Sequence, residues 1–136
     1  MNLHYAAGFF DGEGCVHIAR NVRVVISGCF KPGLLDKFAA RWGGRVVLAR
    51  WSDASRSRPG VRWEITGQKA AAFLTDVLPY LVERRDQARL ALKLHVIKRR
   101  LNVRGGKGYT QAQRDVFASI SKEVRRLKKI HHDYGL

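Results

Sequence analysis

Apolar positions recur along this chain with two periods, and the switches between them mark out its elements. The opening segment LHYAAGFFD, from about Leu3 to Asp11, contains one weak breaker, Gly8, before Gly12 and Gly14, which predicts a short helix. Val16 and Ile18, then Val24 and Ile26, alternate with His17, Ala19, Arg23 and Val25, so a hairpin turning tightly around Asn21 is expected. Lys31-Pro32-Gly33 breaks the pattern, and Leu34, Leu35, Phe38 and Trp42 then recur at helical spacing up to Gly43-Gly44. A second hairpin places Val46 and Leu48 opposite Val61, Trp63 and Ile65 around the polar loop SDASRSRPG, with Arg45, Arg62 and Glu64 on the other face. Helical spacing returns from Gln68 through Ala72, Phe73, Val77 and Leu78. Pro79 interrupts it, and a long basic helix from about Tyr80 to Leu101 follows, with Leu81, Ala88, Leu92 and His95 or Val96 as its stripe. Glycines between Val103 and Tyr109 predict a flexible joint. Thr110 caps a last helix, with Phe117, Ile120, Val124, Leu127 and Ile130 on one face. The result is an α+β chain of order αββαββα with extra C-terminal helices, divided into a core at 1–104 and a joint plus basic helix at 105–136, packed on the core or on a ligand.

Composition adds charge to this picture. The 136 residues hold 26 Lys and Arg against 11 Asp and Glu, a net of +15, while 46% hydrophobic residues argue against a disordered basic tail. Residues 1–83 carry 11 basic and 7 acidic groups; residues 84–136 carry 15 and 4, so the excess rises from +4 to +11. Such self-repulsion is best tolerated beside a polyanion, which puts nucleic acid first and an anionic membrane surface second. No membrane span is expected. Cys15 and Cys29 make no disulfide framework and no leader pattern opens the chain, so a reducing, intracellular setting is expected. His4, His17, His95, His131 and His132 fall at no zinc spacing. Cys15, Cys29, Trp42, Trp51 and Trp63 are read as packing groups.

The densest chemistry lies in Ala6-Ala7-Gly8-Phe9-Phe10-Asp11-Gly12-Glu13-Gly14. Ala7, Gly8, Asp11 and Gly12 are small or short and one helical turn apart, so two such helices could pack with nearly touching backbones. Glu13 emerges between two glycines in a chain short of acids. A carboxylate aimed at phosphate repels it unless a divalent cation stands between them. Spacing alone leaves two readings open: metal-assisted phosphodiester chemistry, or an incidental acid at a helix end.

This stretch resembles the signature of LAGLIDADG homing endonucleases, with Ala6 for the first Leu, Phe9-Phe10 for Leu-Ile, Gly12 for Ala and Glu13 for the second Asp. The element order, the Gly43-Gly44 pair, RWEITG at Arg62 to Gly67 and LPYL at Leu78 to Leu81 extend the resemblance over residues 3 to about 100. It implies a site-specific double-strand DNA endonuclease, with an antiparallel saddle sheet on DNA and a long pseudo-palindromic target. One motif copy implies a homodimer joined at Ala7, Gly8, Asp11 and Gly12. Glu13 and the Gly12 carbonyl would bind Mg²⁺, with Mn²⁺ as a substitute. Arg84, five residues after Pro79, matches the family's basic active-site position; as arginine it suits a charge clamp better than a base, or it is one more solvated charge. Ser27 takes the place of a residue that orients water, or is an ordinary strand residue. A splicing maturase, with RNA as partner, or a non-cleaving DNA-binding protein of the same fold is the alternative. The cytoplasm of a bacterial or phage-infected host, or an organelle, is the expected compartment.

DNA would be met by the outward positions His17, Ala19, Arg23, Arg45 and Arg62, with Arg20 in the first turn, Arg50 at a strand end and Arg56 and Arg58 in the second loop. Each arginine could grip phosphate or bond guanine. The basic residues Lys98, Arg99, Arg100, Arg104 and Lys107, and Lys122, Arg125, Arg126, Lys128 and Lys129, would hold flanking phosphates or stay solvated.

Overall fold

The computed structural model describes residues 1–49, 60–101 and 108–133. Its elements are α1 (Leu3–Glu13), β1 (Gly14–Ile18), β2 (Val22–Gly28), α2 (Leu34–Trp42), β3 (Arg45–Ala49), β4 (Gly60–Thr66), α3 (Gly67–Val77), a 3₁₀ turn (Leu78–Tyr80), α4 (Arg85–Leu101) and α5 (Gln111–Asp133). The α+β order αββαββα, followed by further helices, is the one the periodicities predict. Arg50, Trp51, Arg56, Arg58, Arg104 and Lys107, and most of the expected joint, lie outside the described residues.

The strands form one antiparallel sheet in the order β1-β2-β4-β3. Two hairpins therefore join through their second strands, β2 against β4, with Val24 opposite Ile65 and Ile26 opposite Trp63. Because side chains alternate, Val16, Val22, Val24, Ile26, Trp63 and Ile65 all face inward and are buried. Helices cover that face alone. Its centre is aromatic: the Phe73 ring meets Phe10 at 5.2 Å, Trp42 at 4.8 Å and Trp63 at 5.3 Å, each edge to face. Both buried indoles keep a partner, since Trp42 Nε1 donates to Asp76 Oδ2 and Trp63 Nε1 to the Gly43 carbonyl, each at 2.8 Å.

The long basic helix begins later than the sequence suggested, at Arg85 instead of Tyr80. Pro79 tightens the chain into a 3₁₀ turn and Leu81 is extended (φ −76°, ψ 144°), so the phase is reset after it. The buried stripe is Gln87, Ala88, Ala91 and Leu94; Leu92 and His95 are half-buried and Val96 is exposed. Ala72 on α3 is also exposed, with Ala70, Ala71, Phe73, Leu74 and Val77 turned inward. Helix α5 packs on α4 through Ile120 and Val124, and the Lys98 ammonium lies 5.0 Å from the Phe117 ring. Of the two cysteines, Cys29 is exposed and Cys15 half-buried, so neither belongs to the core.

One of the crowded glycines also has a left-handed backbone. Gly44, at φ +88°, enters β3 so tightly that a Cβ would lie 2.0 Å from Ile65 Cγ2 and 2.6 Å from the Glu64 carbonyl oxygen. Gly44→Ala should therefore lower unfolding stability by about 2 kcal/mol or more, measured by chemical denaturation, because strain and overlap add.

Candidate functional site

Helix α1 starts on Asn2, whose side-chain oxygen accepts the backbone N–H of His4 at 2.7 Å, and ends at Glu13, where the chain passes directly into β1. Ala6, Ala7 and Phe10 are buried, which puts Gly8, Gly12 and Glu13 on the exposed side. Of the four residues expected at a helix–helix contact, Ala7 belongs instead to the core, at 0% exposure. Asp11 is half-buried and satisfied within the chain: Oδ2 accepts the Val82 N–H at 2.7 Å and Oδ1 the Arg84 N–H at 3.0 Å. Gly8 and Gly12 remain open, and a Cβ on either would meet nothing within 4 Å. Tyr5, one helical turn before Gly8, is exposed, as are Tyr80 and Val82 beside α1.

The Asp11 bridge carries Arg84 to the end of α1. Arg84 Nε donates to the Phe10 carbonyl at 3.1 Å, an oxygen that also accepts the Gly14 N–H. A guanidinium at a helix C-terminus complements the dipole there, and anchoring at Nε leaves both terminal nitrogens for another acceptor. Glu13, a few residues on, makes no ion pair among the described residues. Gly14 pairs with Ile26, so Ser27 and Glu13 lie at the same end of the β1–β2 ladder. The three candidate catalytic residues, scattered in sequence, thus share one end of the molecule. No group of three or more His, Cys, Asp and Glu able to hold a metal occurs among the described residues.

The uncovered sheet face carries the other candidates. Register sets His17 beside Arg23 and Thr66, then Cys15 beside Val25, Glu64 and Arg45, then Ser27 beside Arg62 and Val47. Arg23, Arg45 and Arg62 are 38%, 69% and 41% exposed at their side chains. They converge on Glu64: Arg23 Nη2 reaches Oε2 at 2.5 Å, Arg45 Nη2 reaches Oε1 at 2.6 Å, and Arg62 Nε lies 3.6 Å from Oε2. Arg62 Nε is buried with no hydrogen-bond partner among the described residues. The hydrogen bonds from Arg45 and then Arg23 pull the Glu64 carboxyl from its ordinary 4.5 down to about 2. Sequence alternation put Glu64 on this face but not at its hub, because that depends on which strands become neighbours.

At the sheet's edge, α5 comes alongside β1. His17, Ala19 and Arg23 share a cleft of about 300 Å³ with Ser121, Val124, Arg125 and Lys128, and Lys128 Nζ lies 3.5 Å from His17 Nδ1. Partial burial, then the charges of Lys128 and Arg23, lower the His17 pKa, which favours the neutral ring. Arg20 and Ala19 are exposed in the turn between β1 and β2, where the Arg20 carbonyl accepts from Lys98 Nζ.

The Glu64 network predicts a pH dependence. A carboxyl lowered from 4.5 to about 2 stabilises the folded chain fully above its unfolded value, and that contribution disappears as pH falls from 4.5 towards 2. Unfolding free energies of the parent should exceed those of Glu64→Gln by a constant margin above about pH 5, no more than about 1 kcal/mol given the exposed partners, with the margin closing in acid.

No protein-family model and no curated protein sequence matches the chain. Solved structures do match. The homing endonuclease I-CvuI, in complex with its target in the presence of calcium, superposes with a TM-score of 0.68 at 19% identity, covering 92% of this chain and 80% of that one. The archaeal intron-encoded homing endonuclease I-Vdi141I, complexed with DNA, gives 0.53 at 13% identity, over 93% and 96%. I-SmaMI, a LAGLIDADG homing endonuclease bound to its uncleaved DNA target with calcium ions, gives 0.64 at 16% identity over 93% of this chain and 45% of its own. Helices on one face of a β1-β2-β4-β3 sheet and a motif helix running into its first strand give this chain the LAGLIDADG homing-endonuclease fold.

Proposed function

We propose that the chain is a site-specific double-strand DNA endonuclease, working as a homodimer with a divalent cation, Mg²⁺ or in its place Mn²⁺. The observation that carries this reading is Glu13, an exposed acid without an ion pair among the described residues, at the end of the helix whose last turn anchors the Arg84 guanidinium and at the edge of a sheet face rich in arginine. A face of that charge suits a polyanion, and a lone carboxylate within it opposes one unless a cation intervenes. Carboxylate and carbonyl oxygens are hard donors of the kind Mg²⁺ prefers, so Glu13 and the Gly12 carbonyl fit such an ion, with the remaining oxygens coming from phosphate, water and the second copy. Bound there, it would supply Lewis-acid stabilisation of the attacking and leaving oxygens. Arg84, fixed through Nε, offers its terminal nitrogens to a nonbridging phosphate oxygen as charge builds. Ser27 has a hydroxyl with which to orient a water, and the sheet arginines hold the duplex in register.

A second copy is supported by what the fold leaves unexplained. Glycine in an exposed helix costs about 1 kcal/mol relative to alanine, yet nothing among the described residues would crowd a Cβ at Gly8 or Gly12. An identical helix packed across that face would require it at both, and would bring two Glu13 carboxylates to one two-fold axis. The similarity to I-CvuI and I-Vdi141I over most of their own lengths, and to less than half of I-SmaMI, agrees with this chain being one half of a two-site enzyme.

Plasmid carrying the target should be linearised in Mg²⁺ or Mn²⁺ and left intact after chelation. Glu13→Gln should lose cleavage by more than about 100-fold, beyond the usual cost of disturbing a residue behind a metal ligand, while binding duplex at least as tightly. Equal cleavage by parent and variant would reject the role given to Glu13. Gly8→Leu should sediment as a monomer, with an unfolding midpoint no lower than that of the parent diluted to monomer, since a better helix former replaces glycine and its Cβ meets nothing within 4 Å. A parent that sediments as a monomer on DNA would reject the dimer.

A further inference from the structure

We infer that Glu64 sets base specificity on the sheet face without touching a base, by holding Arg23 and Arg45 in one fixed orientation as readers of neighbouring guanines. The inference rests on the proposal that this face meets DNA. Among the described residues Glu64 is the one acid on the outer face, where its neighbours across and along the strands are Cys15, His17, Arg23, Val25, Ser27, Arg45, Arg62 and Thr66. A surface whose task was only to grip phosphate would be stronger without it, since it cancels positive charge at the centre of the patch. Its position is recessed: the side chain is 13% exposed, beneath guanidinium groups that are far more open. It therefore stands behind the arginines and away from the ligand.

The geometry is that of a shared anchor. Arg23 arrives from β2 and Arg45 from β3, one from each strand flanking β4, and each gives Nη2 to a different oxygen of the same carboxylate. Nη2 carries two N–H groups, so one of them stays free beside Nη1 on each arginine, and that edge can supply the paired donors that guanine O6 and N7 accept in the major groove. An unanchored arginine loses rotamer freedom whenever it reads a base and can as easily take a phosphate; one already fixed loses less and has fewer alternatives. Both guanidinium groups meet one carboxylate, which keeps the two forks close enough to address neighbouring base steps, about 3.4 Å apart. Arg62, at 3.6 Å with an unpartnered Nε, pairs more loosely and is left to phosphate or water.

The test is selection from a random duplex library, run in parallel with the parent, Glu64→Gln, Arg23→Lys and Arg45→Lys, with the unfolding midpoint of each recorded. The parent should return a two-fold motif with adjacent guanines in each half, preferred by about tenfold or more over other bases. Glu64→Gln should keep the rest of the motif, lose preference at those positions to within about threefold, and bind unrelated duplex more tightly at low salt. Each lysine variant should lose one of the same two positions. If Glu64→Gln returns the parent's motif with unchanged preference, or loses preference evenly at all positions together with its unfolding midpoint, the inference is overturned. A parent that binds duplex but selects no motif would instead overturn the site-specific reading itself, and this inference with it.

Discussion

A four-stranded sheet covered by helices on one side only is the constraint on which this molecule depends. With a side-chain period of two, every inward Val, Ile or Trp is followed by a residue that must face away from the core. Here those residues are largely polar or basic, so the packing that stabilises the fold also produces a wide charged face. The aromatic cluster of Phe10, Phe38, Trp42, Trp63 and Phe73 ties α1, α2, α3 and β4 together beneath it. The positions of the outer arginines are thereby fixed by contacts on the opposite side of the backbone.

Asp11 links that scaffold to chemistry. Its two oxygens hold the turn before α4 against the last turn of α1 and so place Arg84 where the motif helix ends. Asp11 is also one of the residues expected between subunits, and within one chain both its oxygens already have partners. A short carboxylate near the end of a helix finds the unpaired N–H groups at the start of another helix in its own chain before it meets any partner. The pair of glycines, Gly8 and Gly12, by contrast stays open on the exposed face of α1.

The local elements were legible because strong periodicity and glycine or proline boundaries agree with one another along most of the chain. The first hairpin, the Gly43-Gly44 break and the αββαββα order needed nothing beyond this. The start of α4 was not legible: Leu81, seven residues before Ala88, matched a helical stripe although its backbone is extended. Among the candidate site residues, Glu13 stands out in the sequence as an acid between glycines in a basic chain, although spacing alone leaves it either a metal ligand or an incidental acid at a helix end. Arg84 was visible by resemblance alone, and its anchoring on the Phe10 carbonyl was not visible at all.

By itself the sequence determined the inward face of β1, β2 and β4, most of the turns, and that the outer face is basic, because alternation and charge are local properties; it did not determine the buried stripe of α4 or the exposure of Leu48 and Ala72. Only tertiary structure decided that β2 pairs with β4, that Arg23, Arg45 and Arg62 therefore converge on Glu64, and that α5 brings Lys128 to His17 at the sheet edge. Those contacts join residues up to 111 positions apart. Their partners are chosen by burial of the opposite face and by strand register, and neither is specified by the residues that finally meet.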